Sequence, residues 1–114
     1  MNITGYRRGI QLFNDRHFYD AHEVWEDVWR ESSGPEKRFL QGLIQVAVAF
    51  HHHSMGNTVG ACSLLERARK NLVDHPEDFG GIRMAALLTS MAEWKESLAS
   101  GSAVPAFPTL GETE

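Results

Sequence analysis

The chain has 114 residues, 42% of them hydrophobic and 23% charged, and its 11 Lys and Arg against 15 Asp and Glu give a net charge of -4. That length supports one domain burying roughly two-thirds of its unfolded surface, enough for a core without disulfides or a structural metal. A single cysteine, Cys62, excludes an intrachain disulfide and a cysteine-rich metal cluster, and the acidic balance argues against nucleic-acid binding, whose affinity comes from basic side chains.

Helical spacing runs through the chain, and no stretch alternates as a strand does. A first helix is expected over about Thr4 to Asn14, with Thr4 as N-cap and Tyr6, Ile10 and Phe13 as apolar contacts. A second, about His17 to Glu31, carries Phe18, Ala21, Trp25, Val28 and Trp29 on one stripe. Pro35 suits the first turn of a third helix, which runs to Met55 before Gly56 stops it. Asn57 or Thr58 caps a fourth to about Val73, closed by His75 and Pro76, and a fifth spans about Ile82 to Ala99. Residues 1–101 therefore read as a helical bundle, and 102–114, with Pro105, Pro108 and Gly111, as a poorly ordered tail.

Short connections make successive helices antiparallel neighbours. The expected fold is all-α, a compact single-domain bundle of about five antiparallel helices with the third buried at its centre. The most apolar stretch, Phe39 to Phe50, is broken by Gln41 and Gln45 and falls short of the roughly 20 residues of a membrane span. No signal peptide is recognisable, so the expected location is cytoplasmic, with neither membrane nor nucleic acid as partner.

His22 falls inside the apolar sector of the second helix, with Glu26 one turn along on its flank and Tyr19 just beyond. An ionised carboxylate there needs a partner, and side chains four apart can meet or converge on a third body. Imidazole and carboxylate together suit Zn, Mn, Ni or Fe. The third helix is apolar almost all round, yet Arg38, Gln41, Gln45 and His52 share one sector of roughly 60°. That stripe faces either water or the second helix. In the latter case Gln41 and Gln45 orient a pocket completed by Tyr19 and Trp29, and His52 joins His22 and Glu26 as a third metal ligand. Gln45 and His52 lie about 10 Å apart along the axis, so both cannot bind one ion. His51 and His53 point roughly 100° to either side of His52 and read as packed or solvent-facing.

Several familiar sites are absent. His22-Glu23 begins like a zinc-protease motif, but Glu26 stands where the second His belongs. No Glu-x-x-His pair of a di-iron bundle occurs, nor a glycine-rich phosphate loop. Cys62 and Ser63 have no His at helical contact spacing and read as packing residues. Between residues 20 and 31 five acidic side chains are offset by Arg30 alone, which would attract a cation or a basic partner.

Phe13-Asn14, the run from Phe18 through Trp29, Phe39-Leu40-Gln41-Gly42-Leu43-Ile44-Gln45 and Gly56-Asn57 resemble the bacterial and archaeal family called domain of unknown function 309. The resemblance covers about Ile10 to Leu72. Its signature, His, three residues, Glu, two residues, Trp, is met by His22, Glu26 and Trp29. It implies an all-helical fold and a metal-binding suggestion for the signature, without an established activity or substrate.

Two functions follow. One is a small metal-binding protein, with hydrolysis as a candidate activity and His22, Glu26 and His52 as ligands. The other is a noncatalytic helical interaction module whose polar residues form a hydrogen-bond network fixing helix register. A metal-free pocket with Glu26 as general base is a third arrangement. Whether the chain is an enzyme stays open, as does its partner: a small molecule, a protein or a second copy in a homo-oligomer.

Overall fold

In a computed structural model of the chain, which describes residues 1–111, the first helix is capped two residues earlier than Thr4. The Asn2 side chain accepts the Gly5 N–H at 3.1 Å and so occupies the N-cap. The helices are α1 (Ile3–Asn14), α2 (Phe18–Arg30), α3 (Gly34–Ser54), α4 (Thr58–Leu72) and α5 (Met84–Ser100), with a short 3-10 turn at Phe79–Gly81 before α5. Asn57 caps α4 by accepting the Gly60 N–H at 2.9 Å, and Pro35 sits in the first turn of α3. No strand occurs among the described residues.

Each helix packs chiefly on its neighbours in sequence, so α3 lies between α2 and α4. Two glycines set how closely those layers approach. A Cβ at Gly9 would lie 2.1 Å from Trp25 Nε1; its absence lets the buried indole cross α1 and donate to the Tyr6 carbonyl at 3.1 Å. A Cβ at Gly42 would lie 2.5 Å from Leu72 Cγ, so α3 and α4 meet almost backbone to side chain. Trp25, Phe39, Leu40, Leu43, Val46 and Phe50 have no more than 1% of their surface exposed and form the centre of the core. Burial of α3 on nearly every side is what its all-round apolar sequence demands.

The segment after α5 differs from the expected poorly ordered tail. Ser102 to Leu110 returns as an extended strap across the bundle, and Leu110 is 2% exposed. Phe107 stacks on Trp94 with ring centroids 4.9 Å apart and touches Phe18 at 4.9 Å and Phe50 at 5.1 Å. Prolines disfavour helix without preventing burial, and two large apolar side chains three residues apart outweigh the cost of ordering so short a stretch. The remainder of the expected tail, 112–114, lies outside the described residues. The radius of gyration, 13.1 Å, is close to the ~13 Å of a single compact domain of this size. Among the described residues no helix is long and apolar enough to cross a membrane.

Candidate functional site

On α2, Phe18, Ala21, Trp25 and Val28 face the core, which leaves Tyr19, His22, Glu26 and Trp29 along the flank toward α3. His22 Nδ1 lies 2.6 Å from the Tyr19 carbonyl oxygen. A carbonyl only accepts, so Nδ1 carries the hydrogen and, in the neutral ring, Nε2 presents its lone pair. That lone pair faces Glu26, with Nε2 and Oε2 3.9 Å apart, too far for a direct hydrogen bond. Glu26 Oε1 also lies 3.7 Å from Arg30 Nη2, while Arg30 Nη1 bonds Asp27 Oδ1 at 2.6 Å. The His22 side chain is 16% exposed and that of Glu26 42%. The carboxylate therefore keeps much of its hydration, and the sheltered acid expected from the apolar sector is instead a rim group.

The polar stripe of α3 is turned from α2 toward α4 and its ends, with Arg38 at the exposed rim and Gln45 half-buried. Arg38 donates to the Lys70 carbonyl at 2.6 Å and to Asp74 Oδ2 at 3.2 Å. Gln45 Oε1 accepts from Asn71 Nδ2 at 2.8 Å, and His52 Nδ1 from Asn57 Nδ2 at 3.3 Å. All three are turned toward α4 and its ends, so His52 is not brought to His22 and Glu26. Gln41 is half-buried on α3, between the two flanks by helical angle. Among the described residues no three His, Cys, Asp or Glu side chains are grouped to hold a metal ion.

Contact with α2 is made by residues one position earlier. The His51 ring lies 5.2 Å from the Tyr19 ring, which lies 4.9 Å from that of His22. Lys37 Nζ sits 4.3 Å above Trp29. Steps of three and four from Lys37 through Gln41, Ile44 and Val48 to His51 trace that edge. His53 packs instead on Trp94 at 5.0 Å, so three consecutive histidines address three different parts of the molecule. His51, which in sequence reads as packed or solvent-facing, is the α3 imidazole nearest the flank of α2. At this end a cleft of about 330 Å3 opens, lined by Arg16, His17, Tyr19, His51, Ser54 and Phe107.

What the arrangement offers chemically is one oriented imidazole nitrogen and one carboxylate on adjacent turns. The Nδ1–H bond to a main-chain carbonyl is the kind that fixes the tautomer and direction of a metal-ligating histidine. These are two side chains that could serve as ligands to a divalent transition metal; His52, which meets Asn57, is not grouped with them.

The family described as domain of unknown function 309 matches residues 6–64, which take in α2, α3 and the start of α4. An uncharacterized protein of Aquifex aeolicus (strain VF5) is 30% identical over 82 residues, 71% of this chain and 25% of that protein. The uncharacterized protein YpuF of Bacillus subtilis (strain 168) is 32% identical over 97 residues, 80% of this chain and 56% of its own length. The chain thus spans a quarter of one curated relative and little more than half of the other. A conserved hypothetical protein of Thermus thermophilus, known from its crystal structure, superposes with a TM-score of 0.68 at 28% identity, covering 82% of this chain and 95% of that one.

Proposed function

The chain belongs to the family described as domain of unknown function 309, and on that footing we propose that its α2–α3 face is a binding surface on which His22 and Glu26 hold a divalent transition-metal ion. The observation that carries this is the hydrogen bond from His22 Nδ1–H to the Tyr19 carbonyl, which aims Nε2 at the carboxylate one turn away. An ion held by two protein ligands keeps open positions for water or an oxygen-bearing ligand, the requirement for metal-assisted hydrolysis. Tyr19 orients the imidazole through its main chain, and Arg30 competes for Glu26. Trp29 and Lys37 bound the far end of the face.

Calorimetric titration with Zn, Mn, Ni and Fe(II) tests the reading. It requires one-to-one binding by the unaltered chain, loss in His22→Ala, weakening in Glu26→Gln and strengthening in Arg30→Ala. Metal binding that His22→Ala leaves intact sinks it.

A second reading, a noncatalytic helical interaction module, is favoured by a separate observation. Arg38, Gln45 and His52 hydrogen-bond to α4 and the turn before it, as a network fixing helix register would. It requires that His22→Ala lower the melting temperature equally with and without metal, and that no stoichiometric ion accompany the protein.

A further inference from the structure

The strap is held in the way a receptor holds an extended peptide. Its main chain is read twice by side chains. Asn14 grips Leu110 from both sides, accepting its N–H at 2.7 Å and donating to its carbonyl at 2.9 Å. Trp94 Nε1 donates to the Ala106 carbonyl at 3.1 Å. Its side chains fill pockets: Phe107 lies among Trp94, Phe18 and Phe50, with the Arg16 guanidinium 5.3 Å from its ring centre, and Leu110 is buried. Main-chain bonds for affinity and spaced side-chain pockets for selectivity are how peptide-binding surfaces work.

The strap does not fill the space it lies in. Three clefts, of about 280, 330 and 540 Å3, border Pro108 and Thr109, Phe107, and Leu110 respectively. One arginine lines each, Arg83, Arg16 and Arg7, and none of the three is ion-paired among the described residues; the cleft with Arg16 also holds Asp20, whereas those with Arg83 and Arg7 contain no acidic side chain. The strap leaves α5 from a fixed end: Gly101, at φ +73, caps the helix by donating its N–H to the Ser97 carbonyl, which also accepts the Ser102 N–H at 3.1 Å. Beyond it Ser102, Ala103 and Val104 are exposed and form the tether.

We propose that this groove is a docking site for an extended, acid-flanked peptide with an aromatic residue, a proline, any residue and a leucine in succession, and that the strap is its intramolecular placeholder. The strap supplies the pattern as Phe107-Pro108-Thr109-Leu110, and Arg83 and Arg7, in the two clefts that reach Gly111, select the acidic flank; in sequence the strap is followed by Glu112 and Glu114. A short tether gives the strap an effective concentration on the order of millimolar, so an incoming peptide binds weakly until the strap is weakened or displaced.

The test is fluorescence anisotropy of a labelled peptide spanning residues 104–114, titrated with the full chain and with the full-length Phe107→Ala/Leu110→Ala variant. The variant is expected to bind at least tenfold more tightly than the unaltered chain. The peptide's own Phe107→Ala substitution should abolish binding, and replacing its two Glu by Gln should weaken it several-fold. Equal binding by the two chains, with the variant still helical by circular dichroism, overturns the proposal, and indifference to the Glu replacements overturns its acid-flank part. Amide exchange on the unaltered chain stands even if the variant fails to fold. The Leu110 N–H should exchange at least a hundredfold faster than amides in the middle of α3, because the strap opens alone. Equal protection of the two means that the strap leaves only on global unfolding, and the groove is then no docking site.

Discussion

The two flanks of α3 are built from residues one position out of step. Lys37, Ile44 and His51 form one seven-residue series, whose two ends meet Trp29 and Tyr19 of α2; Arg38, Gln45 and His52 form the next, directed at α4 and its ends. On the α4 side the helices close to within Leu72 of the Gly42 backbone, and the polar groups of α3 are used between the helices. On the α2 side Ile44 is 6% exposed, and the polar groups that matter, His22 and Glu26, belong to α2 and have no hydrogen-bonding partner on α3. Polar residues inside a bundle are thus of two kinds. Those answered by another helix hold the fold; those oriented but left unanswered remain available for a ligand.

The largest effect expected from this contrast is at Gly42. Gly42→Ala places a methyl 2.5 Å from Leu72 Cγ, and overpacking of that kind costs about 1–3 kcal/mol. Urea denaturation should show stability falling by that amount, whereas Gln41→Ala, one residue away on a half-buried position, should change stability by under about 0.5 kcal/mol. Equal costs would mean that the α3–α4 seam is no tighter than the rest of the helix surface.

Next in size is the amide pair across the same seam. Gln45→Ala leaves Asn71 Nδ2 without its acceptor, a loss of about 1 kcal/mol for a half-buried hydrogen bond. A double-mutant cycle with Asn71→Ala should return a coupling energy of at least about 0.5 kcal/mol. On the other flank, His22→Ala combined with Glu26→Ala should show coupling below that value in metal-free buffer, because the groups are 3.9 Å apart and Glu26 is half-exposed. A larger coupling at His22 and Glu26 than at Gln45 and Asn71 would reverse the assignment of fold and site to the two flanks.

The helices and the buried centre of α3 are legible in the sequence because periodicity and the Pro35, Gly56 and Asn57 signals all act locally. Proximity of His22 to Glu26 is legible for the same reason, since four residues on one helix is a fixed distance. What local rules do not supply is which neighbour each sector of α3 meets. The stripe at Arg38, Gln45 and His52 is real, but an offset of one residue turns a side chain about 100°, enough to exchange α4 for α2 and His52 for His51. The strap escapes a local reading because prolines mark only where helix stops, while burial of Phe107 and Leu110 depends on surfaces distant in the chain. Asn14, which clamps Leu110 from 96 residues away, stands in sequence at the end of the first helix, with nothing local to name its distant partner.

The smallest expected effect lies on the opposite side of α4, where polar groups join helices without being buried. Glu66 accepts from Arg69 on its own helix at 2.8 and 3.2 Å and from Lys95 of α5 at 2.6 Å. The hydrogen bonds from Arg69 and then Lys95 hold its carboxyl at about 2, below its ordinary 4.5. A carboxylate with a lowered folded-state pKa contributes stability that is fully present above its unfolded value and is lost as protons bind. The contribution of Glu66 should therefore persist above pH about 4.5 and disappear as the pH falls toward about 2. Melting curves of the unaltered chain and Glu66→Gln should differ slightly at neutral pH and converge through that acid window. Because the three charges are reached by solvent, salt should shrink the neutral-pH difference. The Gln45–Asn71 coupling, made of neutral amides, should be indifferent to both salt and acid. If it fades in step with the Glu66 difference, α4 is held on its two sides by the same exposed electrostatics, and the half-buried polar seam loses its separate standing.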